Sequence, residues 1–308
     1  MPSRNEVFEE ILFTKQNAEH IVRRRYLQEM QQLTGRDTII YAAAFTANRA
    51  LELPPYLISV ALEDIQGFMS ALYELKGKQL DLILHSPGGS LEAADQIVQY
   101  LRSKYDHIRA IVPQNAMSAA TMIACACDEI VMGKHSAIGP IDPQLTFPTP
   151  NGRFTAPAQE ILDEFERARA EVTENPALAP LWASKIQGYP PGLLEICQST
   201  ISLSVEKVAE WLATYMLKGE DKALDKAVAI AAWLGDTNQR KTHGLPVMFQ
   251  QVQQLGLHVT PLEADQAFQE AVMSVFHATE VTLEIGNCVK LVENHNGKGW
   301  FVGVAMGE

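Results

Sequence analysis

The residues in this 308-residue chain whose types and spacing could do chemistry lie in two short loops. One is His85-Ser86-Pro87-Gly88-Gly89, and the other is Pro113-Gln114-Asn115-Ala116-Met117-Ser118. In the first, a proline and two glycines end an apolar run and precede a serine that opens a helical pattern. Such a loop can be a plain turn, a cradle for phosphate, or a place where bare backbone N–H groups face a reacting atom. The GxGxxG and GxxxxGK[ST] patterns are absent there and no lysine follows the glycines, which makes phosphate a minor alternative. In the second loop Ser118 precedes Ala119 and Ala120, both small enough for a substrate backbone to pass closely. Its hydroxyl would lie beside the unpaired N–H groups of a first helical turn, where a developing negative charge is favoured. If the Gly88-Gly89 turn faces Ser118, its N–H groups complete an oxyanion hole for a tetrahedral intermediate. On local sequence alone Ser118 fits a plain helix cap equally well.

The elements that must position these loops alternate. LDLILHS is a short apolar strand of the kind buried on both faces of a parallel sheet, and SLEAADQIVQYLRSKY follows as a helix capped by Ser90. IRAIVP, NAMSAATMIACAC and EIVMG continue as strand, helix, strand, which predicts a parallel βαβαβ core with right-handed crossovers. Both loops then fall at carboxyl ends of adjacent strands, the edge where open α/β sheets bind ligands. Before this core, residues 16–32 read as an amphipathic helix stopped at Thr34-Gly35, DTIIYAAAF has strand character, and a helical pattern runs from Glu63 to Gly77. After Pro150 the pattern becomes helical over 156–172, 178–188, 193–217 and 221–234. GNCVKLVE and GWFVGVA then flank an Asn296-Gly297 turn as a hairpin. The predicted segments are an N-terminal helical part (1–35), an α/β core (36–150), a helical extension packing on it (151–280) and a C-terminal hairpin (281–308).

A formal net charge of -12 argues against a broad nucleic-acid surface, which needs clustered cations. Four cysteines, two of them Cys125 and Cys127 in one apolar run, make no disulfide framework and no zinc pattern, and read as core thiols of a reducing compartment. The first residues lack the apolar stretch of a signal peptide and no run of 18 apolar residues occurs, so a cytoplasmic protein without a membrane span is expected. No metal constellation is visible, and serine chemistry needs neither metal nor cofactor.

DLILHSPGGSLEAADQIVQYLRSKY, VPQNAMSAATMIACACDEIVMG and KHSAIGPIDPQ, in that order, resemble the superfamily of the Clp protease proteolytic subunit and signal peptide peptidase A, within the crotonase-like fold. The closest resemblance is to serine dehydrogenase proteinases, where AMSAGTM, GPIDPQ and HTPGG type motifs recur. It implies a serine peptidase with Ser118 as nucleophile and Gly88, Gly89 and the N–H of Ala119 as oxyanion donors. It also implies a homo-oligomeric ring that admits peptides or unfolded proteins. Ala120 stands where glycine is expected. The histidine that Clp-type enzymes carry about 25 residues after the serine is replaced here by Asp142-Pro143, so that triad does not carry over.

A base is still required, because a serine hydroxyl is a weak nucleophile at neutral pH. Signal peptide peptidase A relatives use a lysine, and Lys185 in LWASKIQG is a candidate provided burial strips its proton; an amine held in water is the plainer alternative. His135 is a second candidate that also fits a loop-stabilising role, and His243 and His85 are others. Asp142 could orient a base or form an ordinary turn. Two further readings share the fold: an acyl-coenzyme A enzyme using the same oxyanion hole, and an inactive scaffold.

Overall fold

The computed structural model describes residues 3–13, 18–149, 152–236 and 245–304. In chain order the first elements are α1 (Arg4–Phe13), α2 (Ala18–Thr34), β1 (Asp37–Ala43), α3 (Pro55–Ile58) and α4 (Asp64–Leu72). The core follows as β2 (Gln79–His85), α5 (Leu91–Arg102), β3 (His107–Val112), β4 (Asn115–Ala116), α6 (Ala119–Cys125), β5 (Glu129–Met132) and β6 (Ala137–Ile138). A hairpin, β7 (Gln144–Thr149) and β8 (Gly152–Pro157), leads into α7 (Ala158–Glu174), α8 (Ala179–Ile186), α9 (Leu193–Thr214) and α10 (Ala223–Gly235). The chain closes with β9 (Val247–Met248), α11 (Phe249–Gln254), β10 (Val259–Pro261), α12 (Gln266–Ile285), β11 (Cys288–Asn294) and β12 (Gly299–Gly303).

Seven strands form the central sheet in the order β10-β5-β3-β2-β1-β11-β12. The strands from β10 to β1 run parallel, while β11 is antiparallel to β1 and β12 to β11. The parallel core is thus wider than the three strands read from the alternation, because β1 and the short β10 extend it on either side. Both faces are covered, as an apolar run such as Leu82-Ile83-Leu84 requires: Leu82 and Leu84 join Phe68, Ile97 and Ile123 in one core, and Ile83 joins Leu27, Val272 and Phe276 in another. The C-terminal hairpin shares this sheet, since Tyr41 of β1 pairs with Val292 of β11. Beneath it Arg23 of α2 donates to Glu293 of β11 at 2.7 Å with both side chains fully buried.

The helical segments beyond Pro150 lie close to their expected spans. The hairpin β7–β8, the helix α1 and the strand β10 were not legible, being short or weakly periodic, and the long helix α12 was not read either: it runs to Ile285, past residue 280 where the C-terminal hairpin was expected to begin. No described helix is long and apolar enough to cross a membrane.

Candidate active site

Ser118 ends the loop after β4 with φ 49° and ψ −120°, one of three non-glycine residues with positive φ among those described. A backbone in that region costs about 1–3 kcal/mol and persists only where its surroundings over-determine it. The surroundings here are explicit. Met117 N–H donates to Ser86 O at 2.9 Å and Ser86 N–H to Asn115 O at 3.1 Å, which stitches the two loops together. Thr121 Oγ1 donates to Ala116 O at 2.7 Å and accepts from Gly139 N–H at 2.9 Å. Gly139 lies so close that a methyl group on it would sit 3.0 Å from Ser118 N. The Ser118 side chain makes no capping hydrogen bond, so its hydroxyl is not spent on the helix it precedes.

Gly88 and Gly89 have φ of 90° and 156°, which favour glycine. Gly88 is seated directly against the serine: a methyl group on it would lie 2.5 Å from Ser118 Cβ and 2.8 Å from Ala119 N. Gly89 is pressed on Val60, where a methyl group would lie 2.6 Å from the backbone nitrogen. Gly88 O accepts from Val60 N–H at 2.8 Å, and Ser90 N–H donates to Val60 O at 2.9 Å. The three predicted donors differ in state. Gly88 N–H is held by Ser86 Oγ at 3.2 Å, whereas the N–H groups of Gly89 and Ala119 have no acceptor among the described residues.

Gly88, Gly89 and Ser118 line a cleft of about 540 Å³ whose walls include Pro87, Met122, Ile141, Leu145 and Ser204. Its titratable side chains are Glu92 and Asp142. The Ser90 hydroxyl donates to Glu92 at 2.6 Å and lowers its pKa from the usual value. Asp142 is buried and accepts from the Gln144 amide at 2.9 Å.

The candidate bases lie elsewhere. Lys185 of α8 is 53% exposed, pairs with Glu164 and lines a separate cavity with Phe147 and Tyr189. His135 sits on the turn after β5, its Nε2 3.0 Å from Pro113 O. His85 is fully buried between Phe45 and Phe276, its Nε2 2.9 Å from Thr46 Oγ1, and burial drives its pKa down to about 3. His243 falls outside the described residues. The structure therefore brings Ser118, Gly88, Gly89 and Ala119 together with Asp142 in the cleft wall, and does not bring Lys185, His135 or His85 to it. Sequence reasoning missed Gly139 and Thr121; the glycine directly after the short apolar run Ala137-Ile138 was the available signal.

The chain matches the ClpP-like SDH-type serine proteinases over residues 11–275 and belongs to that family, with its α/β Clp/crotonase-like fold. An uncharacterized protein of Methanocaldococcus jannaschii is 30% identical over 201 residues, which cover 65% of this chain and 60% of that relative. The match thus spans less than two thirds of that relative's length. A second uncharacterized protein of the same organism is 27% identical over 77% of this chain and 71% of its own. Among solved structures, the chain is similar to a mutant of the membrane-bound stomatin-specific protease 1510-N in complex with a substrate peptide. That likeness has 16% identity, covers 59% of this chain and 60% of the other, and has a TM-score of 0.35. An enoyl-CoA hydratase from Mycobacterium avium subsp. paratuberculosis follows at 13% identity, 59% and 84% coverage and a TM-score of 0.22. Likenesses this distant add nothing to the family assignment.

Proposed function

We propose that this protein is a serine peptidase that cleaves peptides or unfolded protein segments through an acyl-enzyme on Ser118. The observation that carries the reading is the strained, uncapped Ser118 with Gly88 packed against its Cβ. In this reading Ser118 Oγ attacks the scissile carbonyl, its proton passes by way of a base to the departing amine, and water later hydrolyses the ester. The carbonyl oxygen, negative in the tetrahedral intermediate, is met by the unengaged N–H groups of Gly89 and Ala119. Gly88, whose own N–H is engaged by Ser86, supplies the close approach that brings the turn to the serine.

No described lysine or histidine lines the cleft. A base of either type must approach from outside the described residues or from a second copy of the chain, as in a homo-oligomeric ring. The test is therefore made on the assembled protein. A fluorophosphonate probe should label the wild type at one serine per chain and leave Ser118→Ala unlabelled. An unlabelled wild type in its native assembly would overturn the nucleophile, and acyl-coenzyme A binding that survives Ser118→Ala would point instead to an acyl-coenzyme A enzyme.

A further inference from the structure

Behind the glycine turn lies a buried ion pair that the peptidase reading does not use. Lys290 of β11 and Asp64, the first residue of α4, approach to 2.6 Å with side chains 3% and 0% exposed. The contact is not aligned as a hydrogen bond, so it is a charge pair whose other contacts must satisfy both groups. Lys290 Nζ lies over the Trp300 ring, 5.8 Å from its centroid, and the hydrogen bonds of the pair run to Tyr41 and to the strip before α4. Tyr41 Oη donates to Asp64 Oδ2 at 2.5 Å. Burial first, and then the Asp64 carboxylate, keep the phenol protonated well above its usual range, so Tyr41 holds Asp64 as a donor.

The path to the turn runs through the strip before α4. Asp64 Oδ2 also accepts from Ala61 N–H at 2.9 Å, and Lys290 Nζ donates to Ser59 O at 2.9 Å. Between these two residues Val60 donates to Gly88 O and accepts from Ser90 N–H. The backbone from Gly88 to Ser90 is therefore held at both ends by Val60, whose neighbours Ser59 and Ala61 are bonded to one buried pair.

We propose that Lys290 and Asp64, acting through Ser59-Ala61, are positioning residues that hold the Gly88-Gly89 turn against Ser118 with the Gly89 N–H facing the cleft. The proposal rests on the peptidase reading for its consequence, but its geometry can be tested without it. Asp64→Leu with Lys290→Met removes the pair without stranding a charge; this variant should melt cooperatively, and its Ser90 amide, bonded to Val60 O, should exchange with deuterium at least about tenfold faster while β2 interior amides keep their protection. The maximal rate of fluorophosphonate labelling should fall by at least about tenfold, with the probe concentration at half-saturation unchanged, because a small misplacement of transition-state donors costs rate rather than binding. Asp64→Asn with Lys290→Met, closer in size, takes the same measurements if the first pair does not fold. Wild-type exchange at Ser90 in the folded double variant would overturn the proposal, as would wild-type labelling there. If the wild type itself does not label, the peptidase reading fails and the exchange measurement alone decides whether the pair positions the turn.

Discussion

Gly88 is the residue on which the site's geometry turns, because nothing larger fits between the two loops. Gly88→Ala would force a methyl group into Ser118 Cβ at a φ of 90°. Labelling of Ser118 should be lost, with a destabilisation of about 1–3 kcal/mol seen in a urea melt. His85, three residues earlier, has a different consequence. Burial depresses its folded pKa from 6.5 to about 3, so between these values the unfolded chain binds a proton that the folded chain refuses. Stability from this group is whole above pH 6.5 and is lost as pH falls below it, by roughly 3 kcal/mol at pH 4.5. Glu280, 3.4 Å away, has its pKa raised chiefly by burial and offsets part of that loss by taking up a proton in the folded state. Urea midpoints followed from pH 7 to 4.5 should fall less steeply in His85→Leu than in the wild type; equal slopes would refute the assignment.

Among the elements, the short strand β6 matters more than its length indicates. It pairs with β4 and delivers Gly139 against the nitrogen of Ser118, so it helps to fix the backbone at the serine. Gly139→Ala should slow fluorophosphonate labelling by about tenfold or more while circular dichroism stays native, since the methyl displaces Ser118 before it unfolds the sheet. The helix α6 is the contrasting case. Ala120, where the family resemblance anticipates glycine, is fully buried within it. Ala120→Gly should cost only about 1 kcal/mol of stability, from helix propensity, and leave labelling near the wild-type rate.

The whole molecule is tied together by contacts between residues far apart in the chain. Arg23 from α2 and Glu293 from β11 are both fully buried, and Arg24 adds a second bond to the same carboxylate at 2.6 Å. Glu293→Ala would strand a guanidinium in the interior, for an expected loss of about 3–5 kcal/mol and a correspondingly lower melting temperature. The same strand β11 carries Lys290, so the C-terminal hairpin supports the sheet and, through Asp64, the glycine turn. Its removal should therefore cost both folding and labelling.

Local pattern was sufficient for the strand, turn and helix that carry HSPGG, and for the serine that opens the next helix, because each depends on periodicity and turn chemistry within a dozen residues. The parallel core and the helices from α7 to α10 were legible for the same reason, whereas the 20-residue α12 was not read. The state of each donor was not: that Gly88 N–H is engaged while Gly89 and Ala119 are open follows from where Ser86, Val60 and Ser118 meet. Nor could spacing tell that Lys185 points to Glu164, or that a lysine on β11 braces a turn 201 positions earlier through Asp64. Pairings of this kind are chosen by folding, since charge pairs and hydrogen bonds between distant segments leave no periodic trace in the chain.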